Sequence, residues 1–158
     1  MPSGKTHLRI ELSLWAAGVA LTPHLVVTGR ISWQTALSFW LAYLFSALFL
    51  SPDLDLSTSR AFRRWGIARL LWLPYAKLTR HRGASHRLFL GPLTRVLYLA
   101  GILVIALTAI SLLIRRPRAW SPALWLLAGP ALVGIFVPNQ IHILVDLLTS
   151  SLPRRRRR

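Results

Sequence analysis

The sequence predicts an all-α, polytopic membrane protein with four transmembrane helices. Of its 158 residues, 54% are hydrophobic and only 15% carry charge, which is typical of chains that fold in a bilayer. Crossing about 30 Å of hydrocarbon takes roughly 20 helical residues, and four apolar stretches approach that length. They cover residues 12–27, 31–50, 96–114 and 120–148.

The first two stretches predict a helical hairpin. Residues 12–27 form the shortest stretch, and its basic start and small residues Gly18 and Ala20 also resemble a cleaved signal peptide. A second apolar stretch follows within a few residues, after Thr28-Gly29-Arg30. This arrangement favours a turn between two spans over a cleavage site.

Aromatic side chains alternate with arginines in the segment between the second and third stretches. Phe62, Trp65 and Trp72 are interleaved with four arginines before Pro74. The pattern predicts a short amphipathic helix that lies on the membrane surface. An irregular packed segment is the alternative, because Gly66 weakens a helix.

The basic residues predict how the chain is oriented in the membrane. If all four stretches cross, residues 1–11, 51–95 and 153–158 share one side and hold 16 of the 20 Lys and Arg side chains. The positive-inside rule makes this side cytoplasmic, which places both termini inside and the protein in the inner (cytoplasmic) membrane. We expect residues 1–152 to form one membrane-embedded domain and residues 153–158 a basic disordered tail.

The composition also limits the classes of partner and ligand. A net charge of +16 would suit nucleic acid, but the basic residues flank apolar stretches instead of forming a soluble basic face. We therefore expect the lipid bilayer as a partner and no nucleic acid. The chain has no cysteine, so imidazole nitrogens and carboxylate oxygens are the strong ligands available to a metal.

Acidic residues are rare in this chain and are placed close to the ends of predicted helices. Only four Asp and Glu occur, and three of them are Asp53 and Asp55, after the second stretch, and Asp146, near the end of the fourth. Pro52 tends to end the second helix, so that both neighbouring carboxylates emerge at the cytoplasmic boundary. A carboxylate near hydrocarbon costs free energy unless it is paired or bound to a cation.

Histidines fall on the same side of the predicted membrane. His142 precedes Asp146 by four residues, which puts both on one helical face, and His7 precedes the first span. His24 is the exception, because it lies toward the opposite end of the first span, and we do not expect it to bind metal. The convergence predicts a metal site at the cytoplasmic face, with a metal-site segment between helices 2 and 3. The candidate ligands are His7, Asp53, Asp55, His81, His86, His142 and Asp146.

Several short motifs also resemble a known family. They include Met-Pro-Ser-Gly-Lys-Thr-His at positions 1–7, Ser-Pro-Asp-Leu-Asp at 51–55 and His-Arg-Gly-Ala-Ser-His at 81–86. The chain resembles small bacterial membrane proteins known as uncharacterised metal-binding proteins and, more distantly, membrane-bound metal-dependent hydrolases. The resemblance implies the same seven metal-binding positions. Leu8 departs from the pattern, since an acidic residue commonly follows the first histidine in the family.

The ligand types predict the metal and the chemistry. Zinc is the first expectation, with manganese and iron as alternatives, and an open coordination position would lower the pKa of a bound water to about 7. We therefore expect a hydrolase that acts on a phosphoester, including that of a lipid. Seven candidates exceed the three ligands of a typical catalytic zinc, which leaves a two-metal centre or additional roles open. Asp55 and Asp146 are the candidate catalytic residues.

Other readings of the same residues stay open. Lys77, Arg82 and Arg87 could contact a phosphate, although ordinary positive-inside charges are the favoured explanation. The cluster could also belong to a binding or transport protein without catalysis. A third reading is a structural site that ties the helices together, in which case metal loss would unfold the protein.

Overall fold

The computed structural model describes residues 4–78, 89–114 and 122–151. These residues form helices and connecting turns, which confirms the all-α prediction. Two 3-10 turns, Pro52–Asp55 and Gly66–Trp72, accompany the α-helices. The six α-helices are α1 (Gly4–Val27), α2 (Trp33–Phe49), α3 (Arg60–Arg64), α4 (Leu73–Leu78), α5 (Leu90–Ile114) and α6 (Pro122–Ser151).

Three of the described helices are long and apolar enough to cross a membrane. They are α1, α5 and the Leu126–Ser150 part of α6. Helix α2, the second predicted span, has 17 residues, which corresponds to about 25 Å at 1.5 Å per residue. Its length alone does not establish a crossing, so the fourth transmembrane helix stays a prediction.

The predicted hairpin between α1 and α2 is present. The backbone N–H of Gly29 bonds to the carbonyl of Val26, and that of Arg30 bonds to the carbonyl of Leu25, both at 2.9 Å. This is the Schellman pattern, and it needs a left-handed residue, which Gly29 supplies with a φ of 70°. Ser32 then caps α2 by accepting the Thr35 N–H at 3.1 Å.

An indole fixes α1 against α2. The Trp40 ring lies directly over Gly18, where any added Cβ would collide with it. The same ring donates its N–H to the Thr22 hydroxyl at 2.7 Å, and the Trp15 N–H is donated to the Trp40 carbonyl at 3.0 Å. Both half-buried indoles thus have hydrogen-bond partners, and these bonds position α1 on α2.

Two serines connect α2 to α6 in parallel orientation. Ser38 donates to the carbonyl of Leu127, and Ser46 donates to the carbonyl of Ile135, each at 2.8 Å. Donors and acceptors are both eight residues apart, so the two helices run in the same direction. Gly134 lies at the crossing, where a Cβ would collide with the Phe39 carbonyl. The small residue therefore lets the backbones approach closely.

The serine bonds occur beside the prolines of α6. Each acceptor carbonyl lies three residues before a proline, Pro130 or Pro138, and the helix continues through both. A proline removes a backbone donor and crowds the preceding turn, which leaves carbonyls short of partners. Hydroxyls on a neighbouring helix restore partners in an apolar surrounding. The carbonyls that lose the proline donor are those of Leu126 and Gly134, and each serine bonds to the next carbonyl along the helix.

Arg95 links α5 to the end of α2. Although it counts among the cytoplasmic charges of the sequence, its side chain is fully buried. The guanidinium donates to the carbonyl of Leu50, the C-cap of α2, at 2.7 Å, and to the carbonyl of Gly91 at 2.9 Å. A cation at this position stabilises the negative end of the α2 dipole. The end of α2 and the start of α5 thus meet at Arg95.

The prediction of one amphipathic helix before Pro74 was wrong. The segment is divided at Gly66, whose φ of 55° ends α3, and a 3-10 turn and α4 follow. This agrees with the alternative of an irregular packed segment. Trp72 is fully buried among aromatic rings, whereas Ile67 and Leu70 are 88% and 60% exposed. The segment therefore has one packed side and one apolar side that the described residues leave uncovered.

The close approach at Gly134 generates a prediction with a matched control in the same helix. Gly134→Ala should destabilise the protein by about 1–3 kcal/mol, because the new methyl meets backbone rather than a movable side chain. Gly129→Ala meets nothing within 4 Å and should be neutral or stabilising by up to about 1 kcal/mol. Thermal unfolding in detergent measures both. Equal melting temperatures for the two variants would contradict the α2–α6 packing described above.

Candidate metal centre

Three helix ends converge to form the site. The start of α1 packs against the last turns of α6, and the turn that follows α2 lies beside them. The rings of His7 and His142 stack with centroids 4.0 Å apart and an angle of 17° between their planes. The Nε2 atom of His7 is 3.2 Å from a carboxylate oxygen of Asp146. Residues 135 or more positions apart in sequence are thus in direct contact.

The predicted pairing on α6 is present in the structure. His142 and Asp146 are one helical turn apart, and both face His7 across the contact between α6 and α1. One ligand atom from each of these three residues lies within 4.8 Å of the others. His7 and His142 are buried, and the Asp146 side chain is 17% exposed. A single ion could contact all three side chains.

Glu11 is a site residue that the sequence reasoning missed. It follows His7 by one turn on the buried face of α1, and its Oε1 is 3.0 Å from Nδ1 of His142. A carboxylate accepts the Nδ1 proton and leaves Nε2 of the imidazole with its lone pair. The tautomer is assigned from this hydrogen bond. The available signals were the four-residue spacing from His7 and the scarcity of acids.

The donor set fits a divalent metal ion. Nδ1 of His7 is buried and has no hydrogen-bond partner among the residues that the structure describes. A buried nitrogen without a partner costs free energy, and binding a cation is one way to remove that cost. Two imidazoles and one carboxylate are the ligand set of many catalytic zinc sites and of non-haem iron sites. Three protein ligands also leave a coordination position open.

The other predicted ligands are placed differently. Asp53 lines the same cavity as His7 and His142, and a Cβ added to Gly4 of α1 would lie 3.5 Å from its carboxylate. Asp55 is buried in the same 3-10 turn, does not line the cavity and interacts electrostatically with Arg95.

His81 and His86 lie outside the described residues. Metal binding by these two histidines, and by Asp53 and Asp55, stays a prediction. His24 is exposed near the far end of α1, 17 residues or about 25 Å from His7 along the helix. It is therefore separate from the cluster, and the expectation that it binds no metal stays a prediction.

An open cavity of about 580 Å³ gives access to the cluster. His7, Glu11 and His142 line it from α1 and α6, and Asp53 lines it from the turn after α2. Leu8, where an acid was expected from the family pattern, also lines the cavity. Glu11 supplies a carboxylate from the next turn of the same helix. The cavity is large enough to hold water and a small ligand beside the cluster.

Comparisons with known proteins agree with this chemistry at the level of the family. A family model described as "Uncharacterized metal-binding protein (DUF2227)" matches residues 2–156. An "Uncharacterized protein" of Aquifex aeolicus (strain VF5) is 46% identical over 61 residues, which cover 39% of this chain and 43% of that relative. The match thus spans less than half of the relative's length. No solved structure matches the chain significantly. None of these matches names a hydrolase.

The cluster predicts which substitutions remove metal. His7→Ala, His142→Ala and Asp146→Ala should each lower the bound metal substantially, because each removes one of three donors. The measurement is metal content per protein by mass spectrometry after purification in detergent. His24→Ala is the matched control and should leave the content unchanged.

Glu11→Gln tests the role of the missed carboxylate. The amide keeps the size of the side chain but loses the charge that favours the Nδ1–H tautomer of His142. Metal affinity should fall by roughly 10- to 100-fold, which is less than the loss from removing a ligand. A loss in His24→Ala as large as that in Glu11→Gln would rule out the cluster as the metal site.

Proposed function

This chain belongs to the family of uncharacterised metal-binding proteins, and on that premise we propose that His7, His142 and Asp146 bind a divalent metal ion. The observation that carries the proposal is the contact of these three side chains at the junction of α1 and α6. Glu11 orients His142, and Asp53 faces the same cavity. Zinc suits this donor set best, with iron and manganese as alternatives.

The proposal includes embedding of the bundle in the inner membrane. Its main support is α5, whose most apolar 18-residue window has a mean hydropathy of 2.6 and no buried residue within the described part of the chain. An apolar surface of that length is exceptional in water and ordinary in lipid. Helix α2 becomes the fourth span, because it is apolar and lies between α1 and α6. The distribution of Lys and Arg favours a cytoplasmic site and cytoplasmic termini.

Hydrolysis of a phosphoester is the activity we propose. A divalent metal supplies Lewis acidity that polarises the ester and acidifies water. Asp53 is the carboxylate best placed to accept a proton from a water molecule in the cavity, because it lines the wall and the other lining carboxylate, Glu11, contacts His142. Asp146 holds His7 in position through the 3.2 Å contact. Asp55 supports the turn that carries Asp53, since it is buried and interacts with Arg95.

A structural metal site is the second candidate. It is favoured by the way the cluster joins α1 to α6, since His7 contacts Asp146 and His142 contacts Glu11. An ion at this junction would stabilise the bundle whether or not it catalyses a reaction. The two candidates differ in activity, because only the first requires turnover.

A pair of conservative substitutions tests the hydrolase proposal. The wild-type protein with zinc restored should cleave an aryl phosphate or a phospholipid, and chelation should abolish the cleavage. Asp53→Asn should lower kcat by roughly 10²- to 10⁴-fold while the metal stays bound, because it removes a general base. Asp55→Asn should lower the melting temperature and have little effect on kcat. Absence of chelator-sensitive cleavage together with unfolding on metal removal would favour the structural site.

Single cysteines test whether α2 crosses the membrane. The chain has no cysteine of its own, and Arg30 and Ser57 are exposed beyond opposite ends of α2. A cysteine replacing Ser57 should react with an impermeant reagent only from the cytoplasm, and one replacing Arg30 only from the periplasm. Reaction of both from the same side would show that α2 does not cross.

A further inference from the structure

Three cations stand at the mouth of the cavity. Lys5 comes from the first turn of α1, and Arg60 and Arg64 come from one face of α3. They line the same cavity as His7 and His142. Ser59 caps α3 by accepting the Phe62 N–H at 3.1 Å, which fixes the helix that carries both arginines. The cavity therefore has metal-type ligands in its wall and exposed positive charges at its mouth.

These three cations differ from the other described basic residues because they line the cavity. Arg63 is on the same short helix and equally exposed, but it does not line the cavity. Lys77, a candidate phosphate contact in the sequence, does not line it either, and Arg82 and Arg87 lie outside the described residues. The Arg64 guanidinium is also held in place, because it donates to the carbonyl of Leu48 at 2.9 Å.

The formal charges around the cavity depend on the metal. Two carboxylates line the cavity, those of Glu11 and Asp53, against the three cations, so the lining has one positive charge in excess when the histidines are neutral. A divalent ion at the cluster would add two positive charges, and the Asp146 carboxylate offsets one of them. The loaded cavity thus carries a positive excess of two, which an anion of two charges would neutralise.

We propose that Lys5, Arg60 and Arg64 form an anion-binding site for the phosphate group of a phosphoester. The inference rests on the proposed metal centre and identifies the residues that hold the substrate's charge. A phosphate monoester carries up to two negative charges, and arginine pairs with its oxygens in bidentate geometry. The exposed Ile67 and Leu70 follow α3 closely and suit contact with a bilayer. The phosphate can therefore belong to a lipid headgroup or to a soluble ester.

Binding of inorganic phosphate to the full-length protein in detergent tests the proposal. Isothermal titration should show binding to zinc-loaded protein and at least 10-fold weaker binding after chelation. Lys5→Gln, Arg60→Gln and Arg64→Gln should each weaken phosphate binding by roughly 10-fold. Arg63→Gln is the matched control and should bind like the wild type. Metal content, measured on every sample, should be the same in all four variants.

The outcomes separate this proposal from the metal centre. Phosphate binding that is equal in Arg60→Gln and Arg63→Gln would overturn the anion site, and so would acetate binding as tightly as phosphate. If the wild type binds no metal, the metal centre fails, and the same pair of arginine variants still decides the anion site. Competition by phosphatidic acid in micelles and by glycerol phosphate distinguishes a lipid headgroup from a soluble ester as the source of the phosphate. Tighter binding of phosphatidic acid indicates a lipid, and equal binding indicates a soluble ester.

Discussion

The close parallel packing of α2 against α6 determines where the metal-binding side chains lie. Gly134 lets the two backbones meet, and the serine bonds at Leu127 and Ile135 set the rotation and register of α6. With α6 held in this way, His142 and Asp146 face α1 instead of the outer surface of the bundle. A shift of one residue along the contact would turn them by about 100°. The site therefore depends on a contact two turns away.

Buried polar side chains of the described bundle form hydrogen bonds with one another and with backbone carbonyls. Asn139 donates to Ser46 and to the Ile135 carbonyl, and Tyr43 donates to the Glu11 carbonyl at 3.1 Å. In hydrocarbon an unpaired polar group costs several kcal/mol, so such bonds restrict the helices to few arrangements. The bond from Tyr43 also supports the part of α1 that carries Glu11. Structural polar contacts and the candidate metal centre thus form one continuous layer.

The sequence pattern predicted the parts of the fold and the site that depend on residues close together in the chain. The hairpin at Gly29 and the shared face of His142 and Asp146 follow from turn chemistry and helical periodicity. Glu11 was missed although its spacing from His7 follows the same periodicity, because its partner His142 is 131 residues away and no local pattern pairs the two. The break at Gly66 follows from the weak helix propensity of glycine, which is the basis of the alternative prediction for this segment. The divergence of the two aspartates after α2 depends on tertiary packing, on which sequence periodicity carries no information.

The charge balance of the cavity has a consequence for how metal and anion bind together. Because three cations and two carboxylates line the cavity, a metal ion that binds at the cluster meets a net positive lining unless an anion is bound there too. If the metal strengthens anion binding, thermodynamic linkage requires the anion to strengthen metal binding by the same factor. On the proposed function, the charge of a bound phosphoester would therefore strengthen the binding of the ion by the three side chains.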